Sequence, residues 1–311
     1  MVGGTKLPNY MNISVQIANV TFKNPVTVAS GTFGHAEKYF NLEEVKRLGA
    51  LVPKTVTFHA QEGNPPARIF ETPSGMINAI GIENPGIDAF LKTRLPSLKK
   101  TGVPLIISIL GVNPEQFTGI IERLNNHAQI AAVELNLSCP NLKHKTLVAQ
   151  DPQATQNLVK AVKTISKFPV IAKLSPNVTD IAEIALAAEA GGADAVSLVN
   201  TFTAMAVDIK KRSSRIGNFT GGLSGPAIRP IAVYMVHRVA KAVKVPVVGM
   251  GGIMTAEDAL EFIIAGATMV AVGTSNFVNP RAPLEVLEGI EAYMREHKIQ
   301  DIKELIGSLK T

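Results

Sequence analysis

Short runs rich in β-branched residues alternate along the chain with longer stretches in which apolar positions recur at helical spacing, and polar or Gly-rich loops separate the two. The strand candidates are Val26–Ser30, Ala50–Thr55, Pro104–Ile109, Ala132–Leu137, Pro169–Leu174, Ala195–Asn200, Pro246–Met250 and Met269–Gly273. Between and after them the helical candidates are Glu43–Leu48, Pro114–Asn126, Ala154–Ser166, Asp180–Ala190, Ile231–Val243, Ala256–Ala265 and Pro283–Glu296. Such alternation predicts a parallel sheet covered by helices, and the eight strands match a (β/α)8 TIM barrel of the α/β class.

Three helices open on a candidate cap: Asn113 before Pro114, Thr179 before Asp180, and Thr255 before Ala256. No Pro/Ser-rich linker or shift of composition divides the chain, so residues 1–311 are read as a single domain. Two connections exceed what a barrel needs, Thr57–Ser97 after the second strand and Thr201–Arg229 after the sixth. Long loops at a barrel's C-terminal mouth commonly carry function.

Composition narrows the class. The 311 residues are 46% hydrophobic and 18% charged, which excludes a disordered or purely solvating chain. The formal charge of +6 suits an anionic ligand, but the basic residues form no nucleic-acid stripe; the densest cluster, Lys210, Lys211 and Arg212, reads as a solvated loop. The one cysteine, Cys139, allows neither an intrachain disulfide nor a cysteine-ligated cluster, and suits a reducing cytoplasm. The first twelve residues lack an apolar signal core, and the apolar stretch around Val103 to Val112 is too short to cross a bilayer, so a soluble protein without membrane attachment is expected. The histidines show no metal-ligand spacing, and no metal is expected.

Polar residues recur at the ends of the predicted strands: the first ends in Ser30, the second in Lys54-Thr55, the fourth in Asn136 through Asn141, the fifth in Lys173 and the sixth in Asn200-Thr201. One such Asn is an ordinary turn residue; the set, arriving from several strands at one mouth, predicts a polar site. The last two strands add Gly249-Met250-Gly251-Gly252 and Gly273-Thr274, where side-chain-free backbone can approach a phosphate, a group that barrels often hold after strands seven and eight. The spacing is not a dinucleotide fingerprint. Cys139 is either a small buried hydrophobe or, as Ser138, Pro140 and Asn141 around it suggest, a thiol in a polar turn within reach of a ligand. With a reference pKa of about 8.5 such a thiol accepts a proton once ionised. His144 reads as a surface-loop residue rather than the partner of a Cys–His pair.

From about Ile13 onward the chain resembles the class 1 dihydroorotate dehydrogenases, and within them the B type. The resemblance rests on Ala29 to Gly34, Ser74 to Gly81, Glu83-Asn84-Pro85-Gly86, Asn136 to Asn141, Lys173 to Asn177, Thr220 to Pro226 and Gly249 to Gly252. The Ser-Cys-Pro-Asn segment is specific to class 1; the Asn-Pro-Gly after Ile82 and the Thr-Gly-Gly-Leu-Ser-Gly run point to the B type. What the resemblance implies is oxidation of dihydroorotate to orotate in pyrimidine biosynthesis, with Cys139 taking the C5 proton while the C6 hydride passes to FMN. It implies that Lys54, Asn78, Ala79, Ile80, Gly81, Ile82, Asn136, Asn141, Asn200 and Thr201 surround the substrate. It likewise assigns FMN to Ser30, Lys54, Thr55, Asn136, Lys173, Val199, Gly225, Gly251, Gly252, Gly273 and Thr274. A homodimer and a partner subunit carrying FAD and an iron–sulfur cluster, through which electrons reach NAD, follow from the same resemblance.

Two departures from the family pattern concern the electron acceptor and the motion of the Cys139 loop. Ser108 stands where the B type usually has an asparagine touching the flavin, and Lys145-Thr146 replaces a glycine pair in a loop one residue shorter. An enzyme acting alone on fumarate or oxygen is the alternative within the class. Outside it stand a flavin-free lyase with a Schiff base on Lys54 or Lys173, a catalytically silent barrel serving assembly, and a flavoenzyme acting on RNA bases, which lacks the basic stripe it would need.

Overall fold

The computed structural model describes residues 11–34, 42–138, 140–141 and 146–310. Eight strands form an all-parallel sheet: β1 (Val26–Val28), β2 (Val56–Thr57), β3 (Leu105–Leu110), β4 (Ile130–Asn136), β5 (Val170–Lys173), β6 (Ala195–Leu198), β7 (Val247–Met250) and β8 (Met269–Val272). Their order, β1-β8-β7-β6-β5-β4-β3-β2, runs β2 through β8 side by side in sequence order, sets β8 against β1, and leaves β1 and β2 at the two ends. Residues 49–53 join those ends. The Gly49 amide donates to the Val26 carbonyl at 3.0 Å and the Leu51 amide to the Pro104 carbonyl at 2.9 Å, while the Thr27 hydroxyl donates to the Ala50 carbonyl at 3.0 Å. The sheet is thus the curled wall of a (β/α)8 TIM barrel.

The second strand departs from its expected bounds. Leu51 bridges to Leu105, but regular pairing begins only at Val56↔Ile109, because Pro53 has no amide hydrogen with which to continue the ladder. Strands β5 through β8 are buried at every position, as expected of parallel strands with one face in the barrel and the other under helices.

Each strand is followed by a helix, α1 (Leu42–Val45), α2 (Leu95–Lys100), α3 (Pro114–Leu124), α4 (Pro152–Ile165), α5 (Ile181–Ala190), α6 (Arg229–Ala242), α7 (Ala256–Ala265) and α8 (Ala282–Glu296), and short helical turns at Ile87–Ala89 and Ser275–Val278 precede the second and the last of these. In α3 the apolar stripe Phe117, Ile120, Ile121 and Leu124 is buried, and the Asn113 side chain accepts from the Gln116 amide at 2.9 Å to cap the first turn. Thr255 caps α7 in a reciprocal capping box with Asp258. On α5 the cap is Asp180 and not Thr179: its carboxylate accepts from the Ala182 amide at 3.0 Å, so the helix starts one residue later than expected. Helix α2 was absent from the predicted elements. Pro96 in its first turn and the buried Leu95 and Leu98 account for it.

Two further pieces close the barrel's ends. A hairpin of Val15–Ile17 and Val20–Phe22 buries Val15, Ile17 and Phe22 in the core, and its turn borders the same hollow as Ile130 and Pro169 at the strands' N-terminal ends. At the opposite end the two long connections pair with each other in a four-stranded antiparallel sheet, Phe202–Ala204, Gly221–Ser224, Gly75–Asn78 and Ile69–Thr72 in that order.

Candidate functional site

Beneath that small sheet lies a cavity of about 990 Å³, walled by the C-terminal ends of the barrel strands and roofed by Met76, Asn78, Gly221, Gly222 and Ser224. The volume is at the upper end of what ligand sites enclose.

Lys54 and Lys173 both line this cavity. Burial holds the Lys54 ammonium below its ordinary range; Glu83 draws it back up, and the positive charge of Lys173 adds to the lowering. Gly31, at φ +82°, makes room for Lys54, since a Cβ there would come within 3.3 Å of Nζ. Lys173, on β5, is buried with its Nζ 3.7 Å from the Glu134 carboxylate.

The amides form a connected unit. Asn136 Oδ1 accepts from the Ser138 amide at 3.2 Å and from Asn200 Nδ2 at 3.3 Å; Asn200 Nδ2 also donates to the Ser138 hydroxyl at 2.8 Å, and Asn200 Oδ1 accepts from the Thr201 amide at 2.8 Å. Asn177, unassigned in the sequence reading, holds the neighbouring turn by donating to the Thr201 carbonyl at 3.1 Å and accepting from the Thr203 amide at 2.9 Å. Above it, Gly222 is required: a Cβ at that position would fall 2.0 Å from the Thr201 hydroxyl oxygen.

On the far wall three hydroxyls run in a chain. Ser30 donates to the Pro53 carbonyl at 2.9 Å, Thr55 lies 2.8 Å from Ser30, and Ser108 lies 3.0 Å from Thr55. With Ser30 committed as a donor, Thr55 donates to Ser30 and Ser108 to Thr55. Ser108 is wholly buried on β3 and belongs to this chain rather than to the cavity lining.

The glycine loops also border the cavity, through Gly251, Gly252, Gly273 and Thr274. Gly251 (φ +132°) and Gly252 (φ +81°) hold backbone conformations that side chains rarely adopt, and Thr274 donates to the Ser224 hydroxyl at 2.8 Å. The start of α7 is already occupied: Asp258 accepts from the amides of Met254 at 2.8 Å and Thr255 at 3.0 Å, and pairs with Arg229. Space for an anion therefore lies at the loops and not at the α7 dipole, which its own carboxylate neutralises.

Of the residues singled out in the sequence, Ser30, Lys54, Thr55, Asn78, Ile80, Gly81, Ile82, Asn136, Lys173, Val199, Asn200, Thr201, Gly251, Gly252, Gly273 and Thr274 meet at this cavity. Ala79 turns instead into a small apolar cluster with Ile77 and Ile216, as strand alternation requires beside the inward-facing Asn78. Gly225, at φ +97°, packs its backbone against Gly75 and Gly252 and does not line the cavity. Cys139, His144 and Lys145 lie outside the described residues, while Asn141 and Thr146 are paired neighbours in a short antiparallel hairpin. Ser138, Ser175, Asn177 and Ser224 also line the cavity; each follows a strand or sits in a long loop, the signal that picked out Asn136 and Asn200.

A barrel whose polar cavity is framed by lysines, amides and glycine loops from its strand ends defines a ligand-binding α/β enzyme class. Residues 12–294 match the family model described as dihydroorotate dehydrogenase. The chain is 54% identical over 301 residues to the "Dihydroorotate dehydrogenase B (NAD(+)), catalytic subunit" of Lachnoclostridium phytofermentans, covering 96% of this chain and 100% of that one. Proteins of the same name from Geotalea uraniireducens (48% identical, covering 96% and 99%) and Geobacter sulfurreducens (49%, covering 96% and 98%) are similar over the same extent. The chain belongs to the dihydroorotate dehydrogenase family.

Proposed function

We propose that this chain is the FMN-binding catalytic subunit of a B-type dihydroorotate dehydrogenase, oxidising dihydroorotate to orotate in pyrimidine biosynthesis. The observation that carries the reading is the convergence of Lys54, Lys173, Asn78, Asn136 and Asn200 on one cavity beside the glycine loops of β7 and β8. That cavity fits the cofactor as well as the substrate. Its volume accommodates a flavin and a pyrimidine together, the loops at Gly251-Gly252 and Gly273-Thr274 offer backbone to a single phosphate, and no dinucleotide fingerprint provides for an adenine half.

FMN, when bound, supplies the acceptor for the hydride leaving C6. The chain's own residues do the rest. Asn78, Asn136 and Asn200 pair with the alternating donors and acceptors of the pyrimidine, and the hydrogen bonds from Asn78 to the Gly222 carbonyl and from Asn200 to Asn136 fix their orientation before substrate arrives. Lys54 offsets the substrate carboxylate, and the proton it keeps is secured by that charge against the pull of burial. Cys139 is the base that removes the C5 proton. The roof strands exclude water from the reacting face.

The name "catalytic subunit" borne by the relatives supports a second chain, carrying FAD and an iron–sulfur cluster, as the route to NAD. The single cysteine here cannot hold such a cluster. A cytoplasmic homodimer of single-domain barrels completes the proposal; among the described residues no helix is long and apolar enough to cross a membrane. The test begins with the cofactor released from purified protein, where mass analysis should give FMN, and with bleaching of its absorbance by anaerobic dihydroorotate. FAD, or a folded chain without flavin, would refute the reading. Acceptor assays then compare NAD, fumarate, oxygen and dye: the isolated chain should reduce dye and reduce NAD only with its partner. Rapid turnover with fumarate would reassign the physiology to an enzyme acting alone.

A further inference from the structure

One charged side chain at this site has no part in the proposed reaction. Glu134 lies on β4 two residues before Asn136, on the same face of the strand, and is therefore one layer deeper in the barrel. It is 4% exposed. Its Oε2 accepts from the Ser197 hydroxyl of β6 at 2.9 Å, reaching across β5. Its Oε1 is buried without a hydrogen-bond partner among the described residues, and stands 3.7 Å from Lys173 Nζ.

Burying a carboxylate is expensive, and an ion pair of this kind generally adds less stability than apolar residues of the same volume. A barrel interior is filled readily by Val, Ile and Leu. The geometry also shows what the carboxylate does not do. At 3.7 Å it attracts the ammonium without consuming one of its donors, so Lys173 keeps its N–H groups for the cavity it lines. Ser197 fixes one carboxylate oxygen and thereby fixes the distance of the other from Lys173.

We propose that Glu134 is a positioning residue that holds Lys173 toward the cavity and sets how much of its positive charge reaches the bound flavin. The inference rests on the reading of this cavity as an FMN site. A flavin gains negative charge on reduction, so an uncompensated Lys173 favours the reduced form, and Glu134 opposes that bias through space.

The experiment measures the ratio of reduced to oxidised flavin in FMN-loaded protein, anaerobically and at equilibrium with a reference dye. Glu134→Gln removes the negative charge while keeping the shape, and the ratio should move toward reduced flavin by about ten-fold. Glu134→Asp draws the carboxylate back from Lys173 and should move it in the same direction by a smaller factor; this variant decides the matter if Glu134→Gln does not fold. A purely structural carboxylate would change stability and leave the ratio of the loaded protein where it was, and that result overturns the inference while the FMN site stands. Wild-type protein that carries no FMN overturns the functional reading and this inference with it.

Discussion

Asn78 donates its side-chain amide to the carbonyl oxygen of Gly222 across 3.2 Å, at the position where the strands of the two long connections are in register. The same glycine leaves space for Thr201 below it. Gly222→Ala would drive a methyl group into the Thr201 hydroxyl and shift the turn that Asn177 and Asn200 hold. Displacement of a positioning group by about 1 Å costs on the order of a hundred-fold in rate. The expected outcome is that loss in kcat/KM for dihydroorotate with a dye acceptor, with FMN retained; unchanged kinetics would show that the roof does not position the substrate.

Lys54 gives a pH dependence with a definite sign. Its pKa in the folded chain is lowered from 10.5, chiefly by burial. Between the lowered value and 10.5 the unfolded chain binds more protons than the folded one, so the ligand-free protein gains stability as pH rises through that interval. The orotate carboxylate favours charged Lys54, so the Lys54 contribution to orotate affinity falls over the same interval. Lys54→Met should raise the melting temperature of the ligand-free protein at neutral pH, weaken orotate, and flatten the Lys54 part of both pH profiles. Thermal melts and calorimetric titrations across pH check this.

Cys139→Ser should retain FMN and orotate yet slow flavin reduction at neutral pH by about 10²–10⁴-fold, the range that a positioned base supplies. The wild-type rate should rise with pH as the thiolate forms. Stopped-flow reduction by dihydroorotate is the measurement, and near-normal reduction by the serine variant would assign the base to another residue.

Asp258 joins the α7 cap to Arg229, immediately after the Gly251-Gly252 loop. Asp258→Ala removes the acceptor for two backbone amides and leaves Arg229 with the more distant Glu261 at 3.5 Å. A cost of roughly 2–4 kcal/mol is expected in chemical denaturation, together with weaker FMN retention as the loop loosens. Full stability in the variant would show that the loop is anchored elsewhere.

The barrel was legible because its strands are buried on both faces and read as unbroken β-branched runs; β5 to β8 fall within a residue or two of expectation. The polar set at the mouth was legible for a related reason, since strand ends in such a fold converge whatever their sequence separation. Features that depend on tertiary pairing were not. The roof sheet depends on Gly75–Asn78 meeting Gly221–Ser224, strands that carry too little apolar pattern to announce themselves. The N-terminal hairpin is only three residues a side. Glu134 was hidden in plain sight: in sequence it is one polar residue inside an apolar run, and only the approach of Ser197 and Lys173 from two other strands shows what it faces.

The partners that form the roof are 144 residues apart along the chain. During synthesis on a ribosome, the first half of the protein therefore emerges with its share of the lysines and amides but with no cover over them. Ligand capture must wait until the segment around Gly222 has been made and has folded back. A chain cut short before Gly222 would lack the strand that closes the cavity, and with it the cover over those lysines and amides.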